Sequence, residues 1–298
     1  MISITDCLDN FPKLNNQQQV TNGVHSIVTG NYLSTTYLER IHKIELKETD
    51  VLLTGFARSG TTLTRTLLLA IKYGGNKVLN NPTFNIDILF PFIEFESAGQ
   101  SVNNDNTYVG YNITMNSQDA PHRLLKTHLP IWLAPNSASA KKIIVVRDVK
   151  DTLISNYFLY KNDSTNPKEI YNTLEFETFY KMFISGSTLC GDWYQWYRGW
   201  LDASDQNTLL LHYEDLIRNF EETVTKLAEF VGVKMTSELM STLKEAADFK
   251  RMKKYLTVPS IKDFVRKGVI GDHENYLDEE KIKFLNRRCQ EIVPELLK

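Results

Sequence analysis

VLLTGFARSGTTLTRTLLL, running from Val51 to Leu69, changes its hydrophobic pattern partway along and so decides the fold. The β-branched and apolar run Val51–Phe56 reads as a buried strand. It breaks into Ala57-Arg58-Ser59-Gly60. Thr61-Thr62 then leads into Leu63, Leu67, Leu68 and Ile71, which recur at helical spacing. Strand, glycine-containing loop and helix start make a phosphate cradle. The first N–H groups of a helix have no partner within it, and the helix dipole places partial positive charge there. The hydroxyls of Ser59, Thr61 and Thr62 and the guanidinium of Arg58 add donors, so the chain is expected to bind a phosphorylated small molecule.

The loop departs from the nucleoside-triphosphate pattern GxxxxGK[ST] in one place. Gly55 and Gly60 match its glycines, but Thr61 stands where the lysine belongs. That lysine reaches the β- and γ-phosphates in triphosphate enzymes. The cation here is Arg58, set earlier in the loop, which suits a monophosphate carrying one further transferable group. A small-molecule kinase, with Asp148 as the magnesium acid, stays open as an alternative reading at this point.

Across its 298 residues the chain carries a formal net charge of −2. Bulk electrostatics therefore argue against a nucleic-acid binder, and cations for an anionic ligand must be gathered locally. Cys7, Cys190 and Cys289 lie far apart, with no CxxC or metal spacing, which fits a reduced cytoplasmic protein. No metal site is expected. The N-terminus has no basic segment followed by an apolar one, and no apolar run approaches the roughly 20 residues of a membrane span.

Working outward, residues 1–30 are polar and Gln/Asn-rich and read as a loosely packed arm, leaving 31–298 as a single domain. The helix after the loop stops at Gly74-Gly75. Residues 80–122 are irregular and aromatic-rich, the composition of a binding loop. Further strands are expected at 124–128, 142–147 and 208–213. Helices are expected at 150–161, 174–186, 191–203, 219–231, 236–247 and 278–292. Alternating strands and helices imply an α/β fold: a central parallel sheet with helices on both faces and ligands at the carboxyl ends of the strands. Those ends deliver Arg58, Lys126-Thr127-His128, Arg147-Asp148 and Tyr213-Glu214-Asp215 to one rim.

At these residues the chain resembles the cytosolic sulfotransferase family. The matching segments are GFARSGTTL (55–63), RLLKTHLP (123–130), VVRDVKDTLISNY (145–157), LLHYEDL (210–216), FKRM (249–252) and FVRKGVIGD (264–272), in the family's order. KTHLP and RKGxxGD are the specific ones. The resemblance implies transfer of a sulfuryl group from 3′-phosphoadenosine 5′-phosphosulfate (PAPS) to a hydroxyl or amine, leaving 3′-phosphoadenosine 5′-phosphate (PAP), with no metal. It implies that Arg58, Ser59, Gly60, Thr61 and Thr62 hold the 5′ end. Arg147, Ser155, Arg266, Lys267 and Gly268 would hold the 3′-phosphate, and Tyr213 and Phe249 the adenine. His128 would be the general base, with Lys126 and Arg58 stabilising developing charge.

Three departures stand out. The loop cation is Arg58 where lysine is usual. Leu63 replaces the usual tryptophan. The family's dimer segment is not recognisable in HENYLDEEKIKF (273–284), so a monomer or a non-standard homodimer is expected. A sulfotransferase-like protein that binds nucleotide or lipophile without turnover is the other alternative. The aromatics of 80–111 and of the helices at 176–200 point to a small apolar or aromatic acceptor.

Overall fold

The computed structural model describes residues 17–21, 26–30, 38, 41–42, 44–74, 90–94, 123–135, 137–162, 173–248, 252 and 267–297. Within the polar arm, β1 (Gln17–Thr21) and β2 (Ser26–Gly30) pair antiparallel, Gln17 opposite Gly30, where no hydrophobic alternation announces a strand. The central sheet contains β3 (Val51–Gly55), β4 (Leu124–Thr127), β5 (Lys141–Val146) and β6 (Thr208–His212), all parallel, in the spatial order β4-β3-β5-β6. Val51 lies opposite Leu124 on one side and Lys141 on the other. The strand carrying the glycine loop is therefore interior, and the loops after β4 and β5 flank its exit, the position at which open α/β sheets bind ligands.

The helices are α1 (Thr61–Tyr73), α2 (Val149–Asn162), α3 (Phe176–Ile184), α4 (Trp193–Asp202), α5 (Tyr213–Arg218), α6 (Phe220–Phe230), α7 (Ser237–Ala246) and α8 (Glu279–Ile292). These bounds lie close to those read from the sequence. One difference is local: Tyr213, read as the end of the fourth strand, opens α5 instead.

Side chains alternate across the sheet with the period of a strand. Val51, Leu53, Leu124, Ile143, Val145 and Leu211 face one apolar layer with α1, α6 and α7, and Leu63 belongs to that layer too. Leu52, Leu125, Ile144 and Val146 face a second layer built from α2, α3, α4 and α8. Each fully buried Leu, Ile or Val contributes about 1.5–3 kcal/mol relative to exposure.

Within the second layer α4 has a special task. Asp192 caps it, accepting from the N–H groups of Tyr194 and Gln195. Trp193, Trp196, Tyr197 and Trp200 are at most 3 % exposed. Their positions form the buried stripe of a core-facing helix. The expectation that this helix lines an acceptor pocket is corrected accordingly. Its aromatics instead prop the strand ends through their polar tips. Trp196 Nε1–H donates to the carbonyl of His128 at 2.9 Å, and Trp200 Nε1–H to that of Leu129 at 3.1 Å. Tyr197 Oη donates to the carbonyl of Val145 at 2.7 Å and accepts from the N–H of Phe56 at 3.3 Å.

Trp196→Phe keeps the ring and strands a buried carbonyl, so urea unfolding should show a loss of about 1–2 kcal/mol. Trp193 is the control, since its indole N–H has no partner among the described residues; Trp193→Phe should cost measurably less. Equal losses would refute the propping role.

Candidate functional site

The turn after β3 is built to leave donors open. Arg58 (φ 75°) and Gly60 (φ 101°) both take the left-handed region, and the N–H of Ser59 closes the turn onto the carbonyl of Phe56 at 3.1 Å. At Gly60 only glycine fits, because a Cβ would lie 2.4 Å from Cδ2 of Tyr213. At Arg58 the same conformation costs about 1–2 kcal/mol, strain that the surroundings must hold. Asn156 Nδ2–H helps by donating to the carbonyl of Ala57 at 3.0 Å. The N-cap of α1 is Gly60, which has no side chain to cap the helix. Its first N–H groups remain available to an anion, as the loop pattern implies.

A second group of residues closes around Arg147. Its guanidinium lies 4.7 Å from the ring centre of Tyr213, the ring that packs on Gly60. One Nη donates to the carbonyl of Val269 at 3.0 Å, while Nε is buried without a partner among the described residues. Arg58 Nε–H donates to Ser155 Oγ at 3.0 Å. The structure thus brings Arg58, Gly60, Arg147, Ser155 and Tyr213 together with the turn of Lys267 and Gly268. Lys267 is half exposed, and its Nζ lies 2.9 Å from Asp272 Oδ1, so its charge is shared. Phe249 and Arg266 lie outside the described residues. Asp148, the acid a kinase would need for magnesium, instead caps α2 by accepting from the N–H of Lys150 at 2.8 Å, and it pairs with Lys150 Nζ.

His128 faces the same turn. A carbonyl can only accept, so the hydrogen bond between His128 Nδ1 and the Gly55 carbonyl puts the proton on Nδ1. In the neutral ring Nε2 is then the free lone pair. Beside it, Lys126 Nζ lies 4.2 Å from the ring centre of Phe92, and that ring meets the imidazole edge-on at 5.0 Å. Phe92 reaches this place because residues 91–93 pair with the outer edge of β4. The N–H of Ile93 donates to the carbonyl of Lys126 at 2.9 Å, and the N–H of Lys126 to that of Pro91 at 2.9 Å. Two positions from Phe92, Glu94 Oε1 accepts the backbone N–H of His128.

Electrostatics separate these groups. Burial, and then the Lys126 cation, hold the His128 imidazole well below its ordinary pKa; the Gly55 carbonyl opposes this, while Arg58 and Arg65 reinforce it. Burial pushes the Glu94 carboxyl up, against the pull of the His128 N–H and of Lys126. Glu94 in its neutral form adds no negative charge beside Lys126. Sequence reading missed Glu94, although an acid inside the apolar run PFIEF is a signal in itself. It also missed Asp151, which was unremarkable among the charges of VRDVKD.

Residues 48–297 match the family model described as the sulfotransferase domain. The chain belongs to the sulfotransferase family. It is similar to sulfotransferase 1A1 of Bos taurus, 30% identical over 240 residues, or 75% of this chain and 76% of that one. Sulfotransferase 1A1 of Canis lupus familiaris is 31% identical over 252 residues, 79% and 80% of the two chains. Among solved structures, mouse sulfotransferase SULT7A1 complexed with PAP superimposes with a TM-score of 0.72 at 20% identity, covering 93% of this chain and 94% of that one. Retinol dehydratase in complex with androsterone and inactive cofactor PAP gives a TM-score of 0.78 at 20% identity, covering 97% and 93%. These likenesses establish the sulfotransferase fold and make the chain a sulfotransferase. No helix among the described residues is long and apolar enough to cross a membrane.

The depressed pKa of His128 has a measurable sign. Unfolded, this ring takes up its proton near 6.5; folded, it does so only well below that. The unfolded state therefore binds more protons as pH drops beneath 6.5, and the donor-free sulfotransferase loses stability across that interval. NMR of the imidazole Cε1–H should show His128 titrating below 6.5 and moving toward it in Lys126→Met. Titration at or above 6.5 in the unsubstituted protein would contradict the electrostatic account.

Proposed function

We propose that this sulfotransferase takes PAPS as donor and passes its sulfuryl group to a hydroxyl or amine of a small, apolar or aromatic acceptor, with His128 as general base. One observation carries the reading: the Nδ1–H of His128 is committed to the Gly55 carbonyl, so Nε2 is the basic atom, beside Lys126 and on the rim that carries the uncapped start of α1. The donor class draws support from the PAP bound in mouse SULT7A1 and in retinol dehydratase. The residues here fit such a ligand. Arg147 Nε is buried with no acceptor among the described residues, and the N-cap of α1 makes no side-chain cap hydrogen bond.

Arg58, Ser59, Gly60, Thr61 and Thr62 would hold the 5′ end through the loop N–H groups and hydroxyls. Arg147 and Ser155, with Arg266, Lys267 and Gly268, would take the 3′-phosphate, where the guanidinium fork suits paired oxygens. Tyr213, and with it Phe249, would receive the adenine. When bound, the donor supplies the sulfuryl group and leaves as PAP.

The chain's own residues do the rest. His128 Nε2 takes the proton from the acceptor hydroxyl or amine as that atom becomes nucleophilic. Its basicity is low first because burial disfavours the charged ring, and then because Lys126, Arg58 and Arg65 surround it with positive charge. An anionic donor offsets that charge and restores the base where it is needed. Lys126 and Arg58 stabilise the negative charge that develops on the transferred and departing oxygens. Arg58 keeps a fixed charge where lysine is usual but gives up a proton far less readily, so it acts by charge alone. Phe92 and its neighbours supply an apolar wall beside His128. An apolar alcohol is in keeping with the androsterone and the retinol bound by retinol dehydratase.

His128→Ala should lower kcat by roughly 10²–10⁴ while PAP affinity, measured by calorimetry without magnesium, stays within a few-fold. Near-normal turnover in that variant removes His128 from the base role. Donor binding with no product from a panel of phenols, alcohols and amines would instead make the protein a binder.

A further inference from the structure

Behind the donor rim lies a carboxylate that takes no part in the chemistry proposed above. Asp151, one turn into α2, is 2 % exposed. Among the described residues, the contacts of its carboxylate go to Gly271, His273 and Arg147. Oδ2 accepts the N–H of Gly271 at 2.8 Å, and Oδ1 accepts the N–H of His273 at 3.1 Å. Oδ1 also lies 2.8 Å from His273 Nδ1, and Arg147 Nη2 stands 3.7 Å from Oδ2. A carboxylate only accepts, so Nδ1 of His273 carries the proton in that contact. Gly271 (φ 83°) and Gly268 (φ 69°) both sit in the left-handed region, which bends the turn so that its N–H groups meet Asp151 while its Val269 carbonyl meets Arg147. Burial works against the charge of Asp151. The His273 ring, the two N–H groups and Arg147 outweigh it and hold the carboxyl at about 2.

We propose that His273 and Asp151 are positioning residues for donor binding: the imidazole, hydrogen-bonded to the buried carboxylate, latches the Lys267–Gly271 turn against Arg147 in the arrangement that receives a ribose phosphate. This rests on the donor reading above. The latch acts on the turn and on the guanidinium, and it touches neither His128 nor the acceptor side. Its loss therefore falls on donor affinity and spares the chemical step. An ordinary packing histidine would tolerate an apolar replacement without that selectivity. Asparagine, whose amide N–H lies where Nδ1–H does, replaces the one contact that matters.

The test compares the unsubstituted full chain with His273→Leu, His273→Asn and Asp151→Asn. PAP binding is read by calorimetry, and donor KM, acceptor KM and kcat by steady-state kinetics, with thermal melts to establish folding. His273→Leu should weaken PAP binding and raise donor KM by roughly 5- to 30-fold, with kcat at saturating donor within about twofold. His273→Asn should recover most of that loss. Asp151→Asn should be at least as severe as His273→Leu, because the carboxylate also holds the N–H groups of Gly271 and His273 and faces Arg147, and adding His273→Leu to it should cost little more, because the imidazole contact is already broken. Unchanged PAP affinity in His273→Leu overturns the latch. So does a fall confined to kcat, or a failure of asparagine to rescue. If the unsubstituted protein does not bind PAP at all, the donor reading falls, and this one falls with it.

Discussion

Three parallel strands end side by side in this protein, and each end must carry an irregular turn without collapsing into the core. Irregular backbone at such a place has polar groups that need partners. Helix α4 supplies them. The Tyr197 hydroxyl bridges the end of β5 and the turn after β3, while the indoles of Trp196 and Trp200 hold the carbonyls of His128 and Leu129 after β4. Each of these side chains presents an apolar body to the second core layer and a polar tip to a loop. Packing of the core and placement of the site are thus one set of contacts. The strained backbone of Arg58 can persist because Phe56 and Ala57, just before it, are held by Tyr197 and Asn156.

A mildly acidic protein must still gather positive charge at one rim. It does so by controlling what its acids do. Glu94 is buried deeply enough to favour the neutral form, which leaves Lys126 its charge. Asp151 is ionised, but it faces backbone N–H groups and an imidazole and stands farther from the Arg147 guanidinium than from any of these. Glu214 accepts the N–H of Asp148, and Asp148 is spent on the start of α2. Lys267, about half exposed, shares its charge with Asp272. Local placement of protons and hydrogen bonds, more than net charge, makes the rim receptive to an anion.

Much of this was readable in the chain. The apolar runs at 51–56 and 142–147, the glycines at 55 and 60, and the basic residues after three of the four strands pointed to the sheet, the cradle and the family resemblance. What escaped reading involves partners far apart in sequence. His128 meets Glu94 across 34 residues, and Asp151 meets His273 across 122. Neither pair has a local pattern to betray it. The aromatic run of α4 was misread for a different reason. Tryptophans and tyrosines serve equally in pockets and cores, and only the spacing of the stripe, five buried positions on one helical face, separates the two.

Residues 90–94 are pinned to the edge of β4 and end in the carboxyl that holds the backbone of His128. They also carry the phenyl ring that stands between Lys126 and the imidazole. In the reading proposed above, the wall an incoming molecule would press on and the strut that aims His128 are therefore one short piece. An ill-fitting guest that shoves Phe92 aside must also tilt the imidazole. Discrimination among guests then shows up as lost reactivity after docking, with little need for the entrance itself to turn them away.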